Sequence, residues 1–375
     1  MTLFLFLAMG GYFLLLIAWY AGWRQVTSQP CQEVKQNQSI SVVIPYRNEA
    51  LSIAAAVAAL RQLNYPAERF EVIWVNDHSD DASEEMLTRL TEGDNRFRLL
   101  SLRAHEQGKK QALTVGIAQA RGEVIALTDA DCQVPAQWLN RINQTFCNPQ
   151  VKMAFGGVRI ADDHTLFYRL QAMEFAALAG AAASTLGLGF FSLCNGANLA
   201  FLKSAFIDVQ GYAGNMEIPS GDDEFLARKI NRAFPGSIRF VAFPDAVVVT
   251  RPQQTISEFM QQRIRWAGKW RYNQSLPTRL LAFLVFCFQV TFIMLVTAAL
   301  LGSIHWKQAG VLLGGKMILE GVYLLTVIRF LSSNWHWTSF VLLQFIYPLY
   351  VLSTVFQSQW GTYHWKGRKL FHKMP

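Results

Sequence analysis

Carboxylates gather at three places in this chain where an apolar run stops. Pro45-Tyr46-Arg47-Asn48-Glu49 follows the run Ser39–Pro45, Asp77-His78-Ser79-Asp80-Asp81 follows Phe70–Asn76, and Asp129-Ala130-Asp131 follows Glu123–Thr128. Carboxylates held together repel one another, so such a set makes chemical sense around a divalent cation. Hard oxygen ligands suit Mg2+ or Mn2+, either of which can clamp a diphosphate. An aspartate also accepts hydrogen bonds from a base or a ribose. Each motif has an ordinary reading too. Asp77–Asp81 reads equally as a turn running into a helix cap, and Asp129–Asp131 as a solvated loop. Three acidic strand ends on one sheet are harder to explain that way.

The elements between these motifs alternate. Ser39–Pro45, Phe70–Asn76, Phe97–Leu102 and Glu123–Thr128 are short, apolar and rich in β-branched residues, as strands are. Glu49–Leu63, Ala82–Thr91 and Lys109–Ala120 between them carry helical composition. This order predicts an α/β domain with a mostly parallel sheet and right-handed crossovers, and ligands bind such sheets beyond the carboxyl ends of the strands. The sequence contains no GxGxxG and no GxxxxGK[ST], so neither dinucleotide binding nor P-loop chemistry is indicated.

With 375 residues, 52% of them apolar, the chain has material for one large domain and a membrane part. Leu3–Trp23 is apolar with no charge before Arg24 and reads as a retained anchor, residues 1–23. Leu280–Gly302 and Trp337–Phe356 are long enough to span about 30 Å of hydrocarbon. Ala309–Phe330 carries Lys316 and Glu320, and reads either as a spanning helix whose charges pair inside a bundle or as a re-entrant segment. The positive-inside tendency puts the middle domain, residues 39–275, in the cytosol. It favours two later crossings, with the basic tail 357–375 returned to the cytosol and Ala309–Phe330 not spanning. The net charge of +8 comes without a zinc-finger or RNA-binding signature, so nucleic acid is not an expected partner. Arg263, Arg265, Lys269, Arg271 and Arg279 and the tail residues Lys366, Arg368, Lys369 and Lys373 border apolar blocks, which fits lipid headgroups or phosphates. Five scattered cysteines, Cys31 among them, with no CxxC pair fit a reducing compartment better than a disulfide framework.

From Ser39 to Trp270 the residues resemble the family 2 glycosyltransferases and their nucleotide-sugar-binding GT-A fold. Ser41-Val42-Val43-Ile44-Pro45 with Asn48-Glu49 resembles the family's opening strand, which implies nucleoside contacts around Pro45 and Glu49. The resemblance puts Asp77 on the nucleobase and Gly108-Lys109 near the diphosphate. It makes Asp129-Ala130-Asp131 the metal motif, with Asp131 the metal ligand. Asn195-Gly196-Ala197-Asn198 resembles an acceptor-side segment. Gly221-Asp222-Asp223-Glu224 matches the acidic pair, usually Glu-Asp and here Asp-Asp, so Asp223 is the implied catalytic base. Gln262-Arg263-Ile264-Arg265-Trp266 fits the QxxRW motif of membrane-bound members, which brings Gln262, Arg265 and Trp266 to the donor. Glu224-Phe225 depart from the Thr-Asp of many members.

The resemblance implies an inverting transfer from a nucleotide-diphosphate sugar to a lipid or glycan acceptor at the cytoplasmic membrane. Tyr168–Phe191, rich in Ala, Leu and Phe, reads either as an interfacial helix gating a hydrophobic acceptor or as a core helix. Three or four apolar segments are few to enclose a polymer channel, so a lipid acceptor is favoured over processive polysaccharide synthesis. A non-catalytic nucleotide-sugar scaffold is the reading from another class, and it conflicts with the presence of Asp131, Asp223 and Arg265.

Overall fold

The computed structural model describes residues 2–28, 37–161, 164–218, 220–272, 275–360, 362–365 and 368–371, so Cys31, Lys366 and Lys373 lie outside the described residues. Among the described residues the largest sheet has seven strands. They are β1 (Ile40–Tyr46), β2 (Phe70–Asn76), β3 (Phe97–Ser101), β4 (Val124–Leu127), β6 (Met153–Gly156), β8 (Leu199–Leu202) and β9 (Ile238–Val241), in the order β3-β2-β1-β4-β8-β6-β9. β1 to β4 are mutually parallel, β8 runs antiparallel between β4 and β6, and β6 and β9 are parallel. The sheet is therefore mostly parallel, as the alternating pattern predicts. A three-stranded sheet of β5 (Cys132–Gln133), β10 (Val248–Thr250) and β7 (Val158–Ile160) stands at the rim.

Both faces of the main sheet are covered, and its strands are apolar throughout because both faces need burial. Val42, Ile44, Val72 and Trp74 face one core, closed by α2 (Ile53–Arg61), α3 (Ser83–Thr91) and α5 (Trp138–Phe146). Val43, Ile73, Val75 and Ile125 face the other, against α4 (Lys109–Gln119). Pairing of Tyr46 with Asn76 and of Val43 with Leu127 makes β1, β2 and β4 end at the same edge. The three acidic motifs thus emerge side by side. The predicted helix over Glu49–Leu63 begins later, at Ile53, because residues 47–52 form the loop that receives the second motif.

The apolar part outside the sheets is helical. α1 (Thr2–Thr27), α10 (Leu276–Leu300), α11 (Trp306–Phe330) and α12 (Trp337–Trp360) are, among the described residues, four helices long and apolar enough to cross a membrane. Ala309–Phe330 belongs to one uninterrupted helix of 25 residues. Its charges pair inside the bundle: Lys316 Nζ lies 2.8 Å from Glu320 Oε1 and also donates to Gln344 of α12, while Tyr12 of α1 donates to Glu320. A hairpin of β11 (Thr362–Trp365) and β12 (Arg368–Phe371) follows α12.

α6 (Leu166–Gly187) joins the two parts. It packs on α1, α11 and α12, and it also faces the catalytic-side sheet at β7. The core reading of Tyr168–Phe191 fits this packing, since one helix serves as floor for the sheet domain and roof for the helical bundle. The contact with α1 is backbone on backbone. A Cβ at Gly22 would lie 2.2 Å from the Ser184 carbonyl oxygen, and one at Gly187 would lie 1.9 Å from the Gly22 carbonyl oxygen. The remaining helices are α7 (Lys203–Asp208), α8 (Asp222–Ala233) and α9 (Ile256–Gly268).

Gly22→Val should push α1 off α6 and lower the thermal stability of the detergent-solubilised protein by about 1–3 kcal/mol, the ordinary cost of overpacking. Gly10→Ala on the same helix meets nothing within 4 Å and should leave the melting temperature unchanged.

Candidate active site

A cavity of about 620 Å3 opens over the carboxyl edge of β1, β2 and β4. Among its lining residues are Pro45, Glu49, Asp77, Lys109, Asp129, Asp131, Asp223, Gln262, Arg265 and Trp266. Residues some 200 positions apart thus meet in one space.

The donor-side motifs serve two purposes at once. Asp77 is buried, and its Oδ2 accepts from the Gly108 backbone N–H at 3.1 Å, which ties the end of β2 to the start of α4. Gly108 can make that approach because its φ of +95° belongs to glycine. Asp80 and Asp81 take the ordinary role. Asp81 accepts from the N–H groups of Ser83 and Ala50 at 3.0 and 3.1 Å, and Asp80 accepts from Asn48 Nδ2 at 2.6 Å. Only Asp77 of this motif reaches the cavity. The adjoining Lys109 Nζ lies 2.7 Å from Asp129 Oδ1 and 3.3 Å from Asp222 Oδ2. Burial works against its charge, but Asp129 and Asp222 outweigh that and raise its pKa well above the ordinary lysine value.

Asp129 and Asp131 stand within ligand distance of one another beside Cys132, all their donor atoms lying within 4.8 Å. Burial pushes the Cys132 thiol up, so it stays protonated and the hard donors of this group are the two carboxylates. This donor set fits Mg2+ or Mn2+ rather than a thiophilic metal.

The acidic pair begins α8. Asp222, Asp223 and Glu224 occupy its first turn, where the helix dipole favours anions. Asp223 is clamped at both oxygens: Oδ1 accepts from the Glu224 N–H at 2.7 Å and Oδ2 from the Gly196 N–H at 3.0 Å. Burial raises its pKa above the ordinary 3.8, Asp222 and Glu224 add to the rise, and Lys269 and Lys109 pull against it. In the segment Asn195–Asn198 the roles divide. Asn195 and Gly196 line the cavity, whereas Asn198 is buried behind it. Its side chain accepts from Trp138 Nε1 and donates to the carbonyls of Gly157 and Ala246, each at 2.9 Å.

α9 carries the QxxRW residues, and its start is set by a capping box between Thr255 and Glu258. Gln262, Arg265 and Trp266 line the cavity while Arg263 points the other way. There Arg263 Nη2 meets Glu174 Oε2 of α6 at 2.5 Å and its Nε meets Glu174 Oε1 at 3.1 Å, with both side chains 4% exposed. Tyr350 of α12 adds a hydrogen bond to Glu174 at 3.3 Å. The Arg263 guanidinium also covers the rings of Trp266 and Phe259, 4.4 Å from each centroid.

Sequence reasoning missed two working residues here. Lys269, noted only as part of the basic excess, lines the cavity 3.8 Å from Asp223 Oδ1. Glu174 is an isolated charge in the apolar stretch Tyr168–Phe191, and that isolation is the available signal, because a carboxylate among Ala, Leu and Phe needs a partner.

The arrangement is a GT-A-like α/β sheet with an acidic rim at its carboxyl edge and a clamped carboxylate beside that rim. Residues 41–209 match the model of glycosyl transferase family 2. Glycosyltransferase AglE of Haloferax volcanii is 24% identical over 234 residues, covering 60% of this chain and 71% of that protein. A poly-β-1,6-N-acetyl-D-glucosamine synthase of Staphylococcus epidermidis is 27% identical over 237 residues, covering 63% of this chain. The present chain matches only 55% of that synthase's length. The fold is similar to that of the mannosyltransferase PcManGT from Pyrobaculum calidifontis, solved in complex with GDP-Man and Mn2+. The TM-score is 0.63 at 20% identity, covering 96% of this chain and 98% of that one.

Removing one partner of the Glu174–Arg263 pair leaves a buried charge unpaired, so Glu174→Ala or Arg263→Ala should destabilise by about 3–5 kcal/mol. The double variant Glu174→Gln, Arg263→Met should cost less than the sum of the singles. Thermal unfolding in detergent, run as a double-mutant cycle, measures the coupling.

Proposed function

We propose that the protein is an inverting glycosyltransferase that moves a sugar from a nucleoside-diphosphate sugar to a lipid or lipid-linked acceptor at the cytoplasmic membrane. The observation that carries this reading is the mixed lining of the cavity. It combines Asp77, Lys109, Asp129, Asp131 and Asp223 with an apolar stretch of α6, Phe175, Leu178, Ala179 and Ala182. Phe240, also in the lining, packs on Trp23 of α1 and Phe330 of α11. The apolar lining is thus continuous with helices long and apolar enough to cross a membrane, which suits an acceptor with a hydrocarbon tail. A growing hydrophilic glycan needs no such wall, although the Staphylococcus synthase keeps polymer synthesis as the alternative acceptor reading.

In this mechanism the acceptor hydroxyl oxygen attacks the anomeric carbon. Its proton passes to Asp223, and the bond from that carbon to the nucleoside diphosphate breaks with inversion. The two N–H donors to Asp223 fix which lone pairs remain for that proton. Asp129 and Asp131 would hold Mg2+ or Mn2+, which supplies charge neutralisation to the departing diphosphate. Arg265 and Lys109 add fixed positive charge to the same region. In this reading Pro45, Glu49 and Asp77 hold the nucleoside and Gln262 and Trp266 serve the donor, and all five line the cavity. The UDP-sugars are the first donors to try, with GDP-sugars beside them.

Purified protein in detergent, given Mg2+ or Mn2+, radiolabelled UDP- and GDP-sugars and bacterial lipid extract, should move label into a discrete lipid. Label in a high-molecular-weight, glycanase-sensitive product would instead establish polymer synthesis. Asp223→Asn should lower kcat by about 100-fold or more. Arg265→Ala should slow turnover without loss of folded protein, and chelation with EDTA should abolish it reversibly. Because the base must be ionised, kcat/KM should fall with acid through an apparent pKa above the 3.8 of an ordinary aspartate.

A further inference from the structure

Two runs of alternating charge meet at the start of α8. One is Asp129–Lys109–Asp222. In the other, Arg228 Nη2 lies 2.6 Å from Glu224 Oε1, Lys269 Nζ lies 3.2 Å from Glu224 Oε2, and Lys269 Nζ lies 3.8 Å from Asp223 Oδ1. The two oxygens of Glu224 are therefore divided between an arginine and a lysine. Arg228 is itself fixed from behind, donating to the Ser192 carbonyl at 2.9 Å with its guanidinium over the Phe191 ring. Glu224 is 5% exposed, so it has little access to a substrate.

The backbone makes room for the lysine. Gly221 has φ +79°, and a Cβ there would lie 2.9 Å from the Phe225 ring and 3.4 Å from Lys269 Cδ. The aliphatic part of Lys269 runs against this glycine on its way from the turn Lys269–Tyr272 to Asp223.

Building on the reading of Asp223 as the base, we propose that Lys269 is a positioning residue that keeps Asp223 ionised and aimed. Asp222 and Glu224 on α8 oppose the ionisation of Asp223, whereas Lys269 favours it most, with Lys109 and Lys110 of α4 beside it. The nearby Tyr212 hydroxyl and Cys194 thiol are buried, pushed up and neutral. Without Lys269, burial and two neighbouring carboxylates would act on Asp223 against the weaker pull of Lys109 and Lys110. A base that stays protonated at neutral pH cannot take the acceptor's proton.

The sign of each substitution differs, which makes the idea testable by pH profiles of kcat/KM. Losing an opposite charge at this distance moves a carboxyl by about 1–3 pH units. Lys269→Met should shift the acid limb upward by that amount, with activity recovering at alkaline pH. Lys269→Arg should keep the limb in place. Glu224→Gln removes a negative neighbour, so the limb should move down while turnover persists. A Lys269→Met enzyme that is slower by the same factor at every pH, with its limb unmoved, would place Lys269 on the donor and overturn the proposal. If Lys269→Met does not accumulate as folded protein, Lys269→Gln, read by the same profile, decides. Full activity in Asp223→Asn would remove the base itself, a failure distinct from that of the lysine's role.

Discussion

Glu174 and Arg263 meet where α6 crosses α9, almost entirely out of water, and the site is arranged around that meeting. Taking both charges out of solvent is expensive, and the expense is recovered only if the fork of the guanidinium faces the carboxylate squarely. That demand fixes the rotation of α9 about its own axis. With Arg263 turned toward α6, helical periodicity sends Gln262, Arg265 and Trp266 to the cavity. Tyr350 from α12 joins the same carboxylate, so the orientation of the site helix is set jointly by the catalytic-side helix α6 and by the membrane bundle.

A second constraint is electrostatic. The chain is basic, yet its cavity concentrates aspartates, and the structure keeps them charged by interleaving lysines drawn from separate elements. Lys109 begins α4 and Lys269 ends α9, and each is within 4 Å of two carboxylates. Neither acid of the Asp222–Asp223 pair is left to burial alone. Two like charges side by side at a helix start would otherwise push one of them to hold its proton.

How far the sequence carried this structure depended on the range of each interaction. β1 to β4 are short apolar runs whose identity is local, and three of them place their acidic ends correctly with boundaries off by one residue or so. The cavity residues were legible because Asp129-Ala130-Asp131, Asp222-Asp223 and Gln262–Trp266 keep motif spacing within a few positions. Glu174 with Arg263 and Glu224 with Lys269 are separated by 89 and by 45 positions, and no local pattern couples such pairs. Lys316 and Glu320 show the same limit from the other side. Their i, i+4 spacing was visible, but that the charges were paired within a bundle depended on Tyr12 and Gln344 from two other helices.

The contact between Gly22 and Gly187 bears on what kind of part α1 is. Where two helices touch through carbonyl oxygens and bare Cα atoms, little freedom remains to slide or swing, and α6 behind that contact forms the apolar wall of the cavity. The first helix is therefore a buttress of the cavity as much as an apolar segment long enough to cross a membrane. Exchanging it for another hydrophobic segment of equal length would keep that length and apolarity and still deform the cavity wall.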